Sequence, residues 1–133
     1  MRTLIAVLLA ASLTGRADML ALTNHDRVEH DRSRLALDAQ LSHYAKQHSR
    51  DMAERGRLFH TPDLIAVLEG RDWSLAGENV GVGPSSRAIE AGFMREKGHR
   101  KNLLRREWDY AATGVIHRDG LVWVTVIFWA VAA

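Results

Sequence analysis

Apolar residues recur at helical spacing through most of the chain and switch to strict alternation near its C-terminus. Leu20, Asn24, Arg27 and Val28 share a helical face and predict a first helix over Met19 to Asp31, with Asn24 and Arg27 as polar members on or beside the inner stripe. Leu35 and Leu37 anchor a connector, after which Leu41, Tyr44, Ala45, His48 and Met52 form one stripe. Asp38 is placed to accept from the first free amides of this second helix, and Gly56 to end it. His48 on an apolar face reads as a core histidine satisfied by a neighbour. A third helix is expected from Thr61 as N-cap and Pro62 at the first helical position through Leu64, Ile65, Val67 and Leu68 to Gly70. Val80 and Val82 alternate with glycines and predict a short strand whose backbone is closely approached by another part of the chain, and Glu78 immediately precedes it. Pro84, Ser85 and Ser86 open a further helix with Ile89 and Phe93 inward and Glu90 near its positive end. That helix is expected to deliver Glu96 and stop at Gly98.

The alternating segments Ala112 to His117 and Leu121 to Val131 flank Arg118, Asp119 and Gly120, and the Asp-Gly pair predicts a hairpin. In the second of these strands Val122, Val124, Val126 and Phe128 lie on one face, and Leu121, Trp123, Ile127 and Trp129 on the other. A strand apolar on both faces needs a layer above and a layer below. The expected fold class is therefore α/β, a three-layer α/β/α sandwich with a small antiparallel sheet.

Composition changes this picture in three ways. A chain of 133 residues with 47% hydrophobic content fits one domain with a core of its own. Met1-Arg2, the apolar run Leu4 to Leu13, and Gly15-Arg16-Ala17 have the three parts of a signal peptide, so residues 1–17 are expected to be removed, leaving a domain over 18–133. The apolar run is too short to span a bilayer, which needs roughly 20 apolar residues, and no integral membrane segment is expected in the mature chain. Setting aside Arg2 and Arg16 makes the remaining basic residues equal in number to the 16 acidic ones. Net charge then gives no case for nucleic acid or an anionic membrane as partner. The chain has no cysteine, which excludes disulfides and is compatible with export.

Candidate chemistry concentrates between Phe93 and Leu104, where Glu96 and His99 stand three residues apart around Gly98. A solvated basic turn is the alternative for this stretch, as an exposed turn histidine is for His60. The order of Asn24 to Arg27, Leu35 to Met52, Phe59-His60, Gly77-Glu78-Asn79 and Gly98-His99-Arg100-Lys101-Asn102-Leu103-Leu104 resembles the CAP superfamily, the SCP-like extracellular domains. These include cysteine-rich secretory, antigen 5 and plant pathogenesis-related proteins, together with a secreted bacterial branch that this cysteine-free chain resembles. The likeness covers nearly all of the chain after Ala17. It implies an α/β/α sandwich and a cleft with two histidines and two acids, which the motifs assign to His60, Glu78, Glu96 and His99. Phe93 stands where the family usually has tryptophan, and Val126 where the last strand commonly has glutamine.

Two imidazoles and two carboxylates suit a zinc-like divalent ion as cofactor, with His60, Glu78, Glu96 and His99 as its metal ligands. The same residues without a metal would serve as catalytic candidates, a histidine activating water beside an acid. No helical zinc-protease motif and no nucleophilic triad stands out in the sequence. The expected function is thus an exported domain, secreted or periplasmic, that binds a divalent metal ion and a ligand or envelope component. A secreted hydrolase using the same His/Glu cleft is the alternative.

Overall fold

In chain order the elements are α1 (Asp18–Glu29), β1 (Ala36–Leu37), α2 (Ala39–Arg55), α3 (Leu64–Val67), β2 (Trp73–Gly83), α4 (Ser86–Arg95), α5 (Lys97–Leu103), β3 (Tyr110–Arg118) and β4 (Leu121–Val131). The structure is a computed structural model and describes residues 18–133. The expected signal peptide, residues 1–17, lies outside the described residues.

Strand order is β1-β3-β4-β2. β4 pairs antiparallel with β3 on one side and β2 on the other, while the two-residue β1 adds to the far edge of β3 in parallel. From Val122 to Ala130 every residue of β4 is buried, because helices cover both faces. Val122, Val124, Val126 and Phe128 pack with Met19, Ile89, Phe93, Leu103 and Trp108, contributed by α1, α4, α5 and the turn after them. On the opposite face Ile127 and Trp129 pack with Leu41, Ala45 and Leu68, and Trp123 with Met52 and Val80. Trp123 and Val124, pointing opposite ways, are 6% and 0% exposed. This is the three-layer α/β/α sandwich that the two-faced alternation predicts.

Local chemistry fixes the ends of these elements. Asp38 caps α2 by accepting from the Leu41 amide at 2.9 Å, and Gly56 ends the helix in the left-handed region at φ 66. The same aspartate accepts from the Arg71 Nε at 2.7 Å and the Trp129 Nε1 at 3.0 Å. Burial works against its charge, but the bonds from Arg71, Leu41 and Trp129 outweigh it and hold the carboxyl below its ordinary pKa. Asp119 and Gly120 both have positive φ, 51 and 76, as a type I′ hairpin turn requires. His48 is a core residue, 2% exposed, its Nε2 at 2.7 Å from the Phe59 carbonyl oxygen.

Several boundaries differ from those the sequence predicts. α3 starts at Leu64, and its cap is Asp63, which accepts from the Ala66 amide at 3.0 Å; Thr61 is engaged elsewhere. β2 runs eleven residues instead of a few, paired with β4 almost throughout, so Glu78 sits mid-strand opposite Ile127. α4 stops at Arg95, and Glu96 itself is the extended residue (φ −93, ψ 126) between two helices. Gly98 lies inside α5, where it neither ends a helix nor makes the turn.

Candidate functional site

Glu78 enters the site from the edge strand. Side chains two apart on a strand share a face, so Glu78 points the same way as Val80, which packs against Met52 and Trp123 on the α2 side of the sheet. There both carboxylate oxygens are engaged. Oε1 accepts from the Thr61 amide at 2.9 Å and lies 2.8 Å from His60 Nδ1, and Oε2 accepts from the Thr61 hydroxyl at 2.5 Å. Tyr44 donates its hydroxyl to Thr61 Oγ1 at 3.2 Å, lengthening the chain of bonds to Tyr44, Thr61, Glu78 and His60. Burial raises the Tyr44 pKa, the bond to Thr61 works against that, and the nearby Glu78 and Asp51 charges add to the rise. The glutamate side chain is 4% exposed and the His60 side chain 65%. A buried carboxylate thus holds an imidazole at the surface with Nδ1 engaged and Nε2 free of any such tie.

A second couple is built from one short stretch. Because the chain extends at Glu96 and resumes helix at Lys97, the Glu96 Oε2 reaches His99 Nδ1 at 2.8 Å. His99 packs against the Phe93 ring, with centroids 4.9 Å apart. Here exposure is reversed, the histidine side chain being 25% exposed and the glutamate 66%. Glu96 and His99 border an open groove of about 380 Å³ whose other walls include Leu58, Val80, Gly83 and Phe93.

The four predicted residues are therefore joined as two couples, His60 with Glu78 and Glu96 with His99, beside the edge strand β2. Asn79 points to the other side of the strand from Glu78, and its side-chain amide donates to the carbonyl oxygen of His99 at 3.0 Å. Asn102 bonds the Glu78 carbonyl at 3.2 Å and the Asn79 Oδ1 at 3.1 Å, and its own carbonyl accepts from the Trp108 indole at 2.6 Å. These amides lock α5 to the strand that presents Glu78. Gly77 fits the same seam, since a Cβ there would meet the Trp108 ring at 3.2 Å and Asn102 Oδ1 at 3.5 Å.

Among the described residues no group of three or more His, Cys, Asp or Glu is disposed to hold a metal ion. The donor chemistry explains why the four-ligand set is not assembled here. Both Glu78 oxygens already accept, and each carboxylate bonds its histidine's Nδ1. What fits a metal in this arrangement is the imidazole Nε2 with a carboxylate behind it, the usual way a ligating histidine is oriented.

Sequence reasoning names the four ends of the two couples but not the groups that set them. Thr61 follows His60 directly, but reading it as a helix cap hides its role as carboxylate donor. Asn79 and Asn102 both lie inside stretches whose pattern is visible in the sequence; their mutual bond joins residues 23 apart and has no local signal.

The cysteine-rich secretory protein family (CAP) matches residues 20–128. A membrane protein of Bacillus subtilis, YlbC, is 33% identical over 112 residues, covering 77% of this chain and 32% of YlbC. An extracellular protein of Bacillus anthracis containing an SCP domain superposes with a TM-score of 0.72 at 28% identity, over 85% of this chain and 39% of that one. The chain spans well under half the length of these two relatives. NaASP2, crystallised with Zn2+, shares the fold at a TM-score of 0.50 and 11% identity, over 73% of this chain and 60% of that one.

Proposed function

The chain belongs to the cysteine-rich secretory protein (CAP) family, and on that premise we propose an exported binding domain that takes a ligand or envelope component in the groove beside Glu96 and His99. The observation that supports this most is the pair of imidazole–carboxylate couples beside the edge strand, each closed at 2.8 Å. Orienting a histidine by a carboxylate costs a fold something to maintain when one partner is buried, as Glu78 is. Export is part of the reading: residues 1–17 act as a signal peptide cleaved after Ala17, and the B. anthracis relative is extracellular. Among the described residues no helix is long and apolar enough to cross a membrane.

A divalent, zinc-like ion belongs to this proposal in altered form. His60 and His99 would present Nε2 to the ion, while Glu78 and Glu96 orient the rings instead of ligating. Calorimetric titration with zinc tests it. His60→Ala and His99→Ala should each lower affinity strongly, Glu78→Gln by roughly 10 to 100-fold, and His30→Ala or His117→Ala hardly at all. Equal losses across all variants, or no binding by the unmutated protein, would remove the ion from the proposal.

The hydrolase reading is favoured by one specific observation, the bonded series Tyr44, Thr61, Glu78 and His60, which ends in a side chain 65% exposed. In it His60 Nε2 takes a proton from water while Glu78 steadies the imidazolium. Hydrolysis of a chromogenic ester that persists in chelator and disappears in Glu78→Gln would replace the binding domain with this activity.

A further inference from the structure

The chain's nearly equal totals of acid and base conceal a local excess: Arg95, Lys97, Arg100, Lys101, Arg105 and Arg106 follow one another closely in sequence, and the fold sets Arg32 beside them. A groove of about 720 Å³ opens along α5 and the turn after it, and one face of it is almost purely cationic. Arg95 from the end of α4, Lys97 and Lys101 from α5, and Arg106 from the turn are exposed. Among the described residues none of these four has a carboxylate within 4.0 Å. Three further arginines are tied back into the wall. Arg32 donates to the Leu104 carbonyl at 2.6 Å, Arg100 to the Met94 carbonyl at 3.4 Å, and Arg105 pairs with Glu107 at 3.4 Å. Glu107 is the one acid of the lining, and Leu104 is half-buried at its base.

We propose that this groove docks the domain on an anionic phospholipid bilayer through the phosphate groups of its lipids. Seven cations held on one face repel each other, and four of them pair with no carboxylate among the described residues, so the arrangement implies an anionic partner. The cations are spread over exposed tips instead of converging on one point, which suits many laterally mobile headgroups better than a single anion. Clusters of four to eight Lys and Arg are what anionic lipid surfaces attract. Nucleic acid is less well matched, since single strands need exposed aromatic platforms, whereas Phe93 and Trp108 beside the groove are 3% and 2% exposed. Arg95 also lines the groove that holds Glu96 and His99. Docking would therefore set the candidate ligand site at the bilayer surface. The inference goes beyond the proposed ligand and ion binding and does not depend on it.

Co-sedimentation of the purified chain with phosphatidylcholine vesicles, with and without phosphatidylglycerol, tests it. The protein should pellet with the phosphatidylglycerol vesicles alone, and added salt should release it. The double variant Lys97→Glu with Lys101→Glu should bind those vesicles at least about thirtyfold more weakly, by the usual worth of a cation at an anionic surface. Lys46→Glu with Arg50→Glu, on exposed positions of α2, changes net charge equally and should bind nearly as the parent does. Matching thermal melts for the two double variants show that both remain folded. No pelleting with phosphatidylglycerol, or equal losses in both double variants, overturns the proposal. So does inorganic phosphate binding that is lost in the α5 variant while vesicles are ignored, because the groove would then be a site for free anions.

Discussion

The side-chain amide of Asn79 donates to the carbonyl oxygen of His99 at 3.0 Å, so the residue beside Glu78 holds the residue that partners Glu96. The two imidazole couples are thus mechanically linked through β2. Asn79 is 0% exposed and also accepts from Asn102 at 3.1 Å. Asn79→Ala should lower stability by about 2 to 4 kcal/mol, the cost of leaving buried partners unmade. It should also shift the imidazole resonances of His99 more than those of His60. Denaturant unfolding and imidazole NMR measure both, and an unchanged midpoint would show that the seam is not holding α5.

Gly114 marks the closest approach of α2 to the sheet. A Cβ there would lie 2.2 Å from the Ala45 carbonyl carbon and the Lys46 amide nitrogen, both backbone. Gly114→Ala should therefore prevent folding or cost more than about 4 kcal/mol. Gly81→Ala is the milder comparison: its Cβ would meet Ile89 Cγ2 at 2.8 Å and the Phe93 ring at 3.0 Å, side chains that can shift. It should cost about 1 to 3 kcal/mol, read from thermal or denaturant melts. Equal costs for the two would mean that the helix yields as readily as a side chain.

Glu90 is 3% exposed on the inner face of α4 and receives a hydroxyl bond from Thr23 at 3.3 Å. Burial pushes its pKa up to about 9, and the nearby Asp26 carboxyl adds to the rise. The folded state then keeps a proton that the unfolded chain has released above the ordinary carboxylate range. Stability should fall as pH rises toward 9, at up to about 1.4 kcal/mol per pH unit. Glu90→Gln should remove this slope and raise the melting temperature most at alkaline pH. Asp38 works in the opposite direction, since its lowered pKa means that its contribution is lost on acidification. Melting curves across pH check both: an alkaline limb unchanged by Glu90→Gln would contradict the first sign, and an acid limb unchanged by Asp38→Asn the second.

Arg27 is 0% exposed and ties three backbone carbonyls, those of Ser33 at 2.8 Å, Leu103 at 2.9 Å and Arg105 at 2.8 Å. Burial, followed by the neighbouring Arg32, lowers its pKa. Arg27→Met leaves these acceptors without their donor and should cost roughly 3 to 5 kcal/mol. Arg27→Lys should recover little of that, because one ammonium cannot match the fork of a guanidinium. Full recovery by lysine, measured by denaturant unfolding, would mean that charge alone is needed.

Local signals in the sequence determined the layers and many of the element ends. Alternation on both faces of Leu121 to Val131 required cover above and below, because apolar side chains on each face must leave water. Asp38, Gly56 and the Asp119-Gly120 pair act within a few residues of themselves, which is why they are legible without the fold. The ordered motifs likewise pointed to His60, Glu78, Glu96 and His99 and to the family. Tertiary structure alone decided how those four are joined. β2 extends to eleven residues because β4 pairs along it; its glycines do mark the close neighbours they predict, but not the length of the strand. Thr61 turns from a helix cap into a donor to Glu78, and the helix breaks at Glu96 and not Gly98, since the competing partners come from distant parts of the chain. Whether Arg27 is buried, and that Arg32 joins the cations clustered between Arg95 and Arg106, depends equally on which elements meet. Bonds and fields between residues far apart in sequence leave no periodicity behind, and those are the interactions that arranged this site.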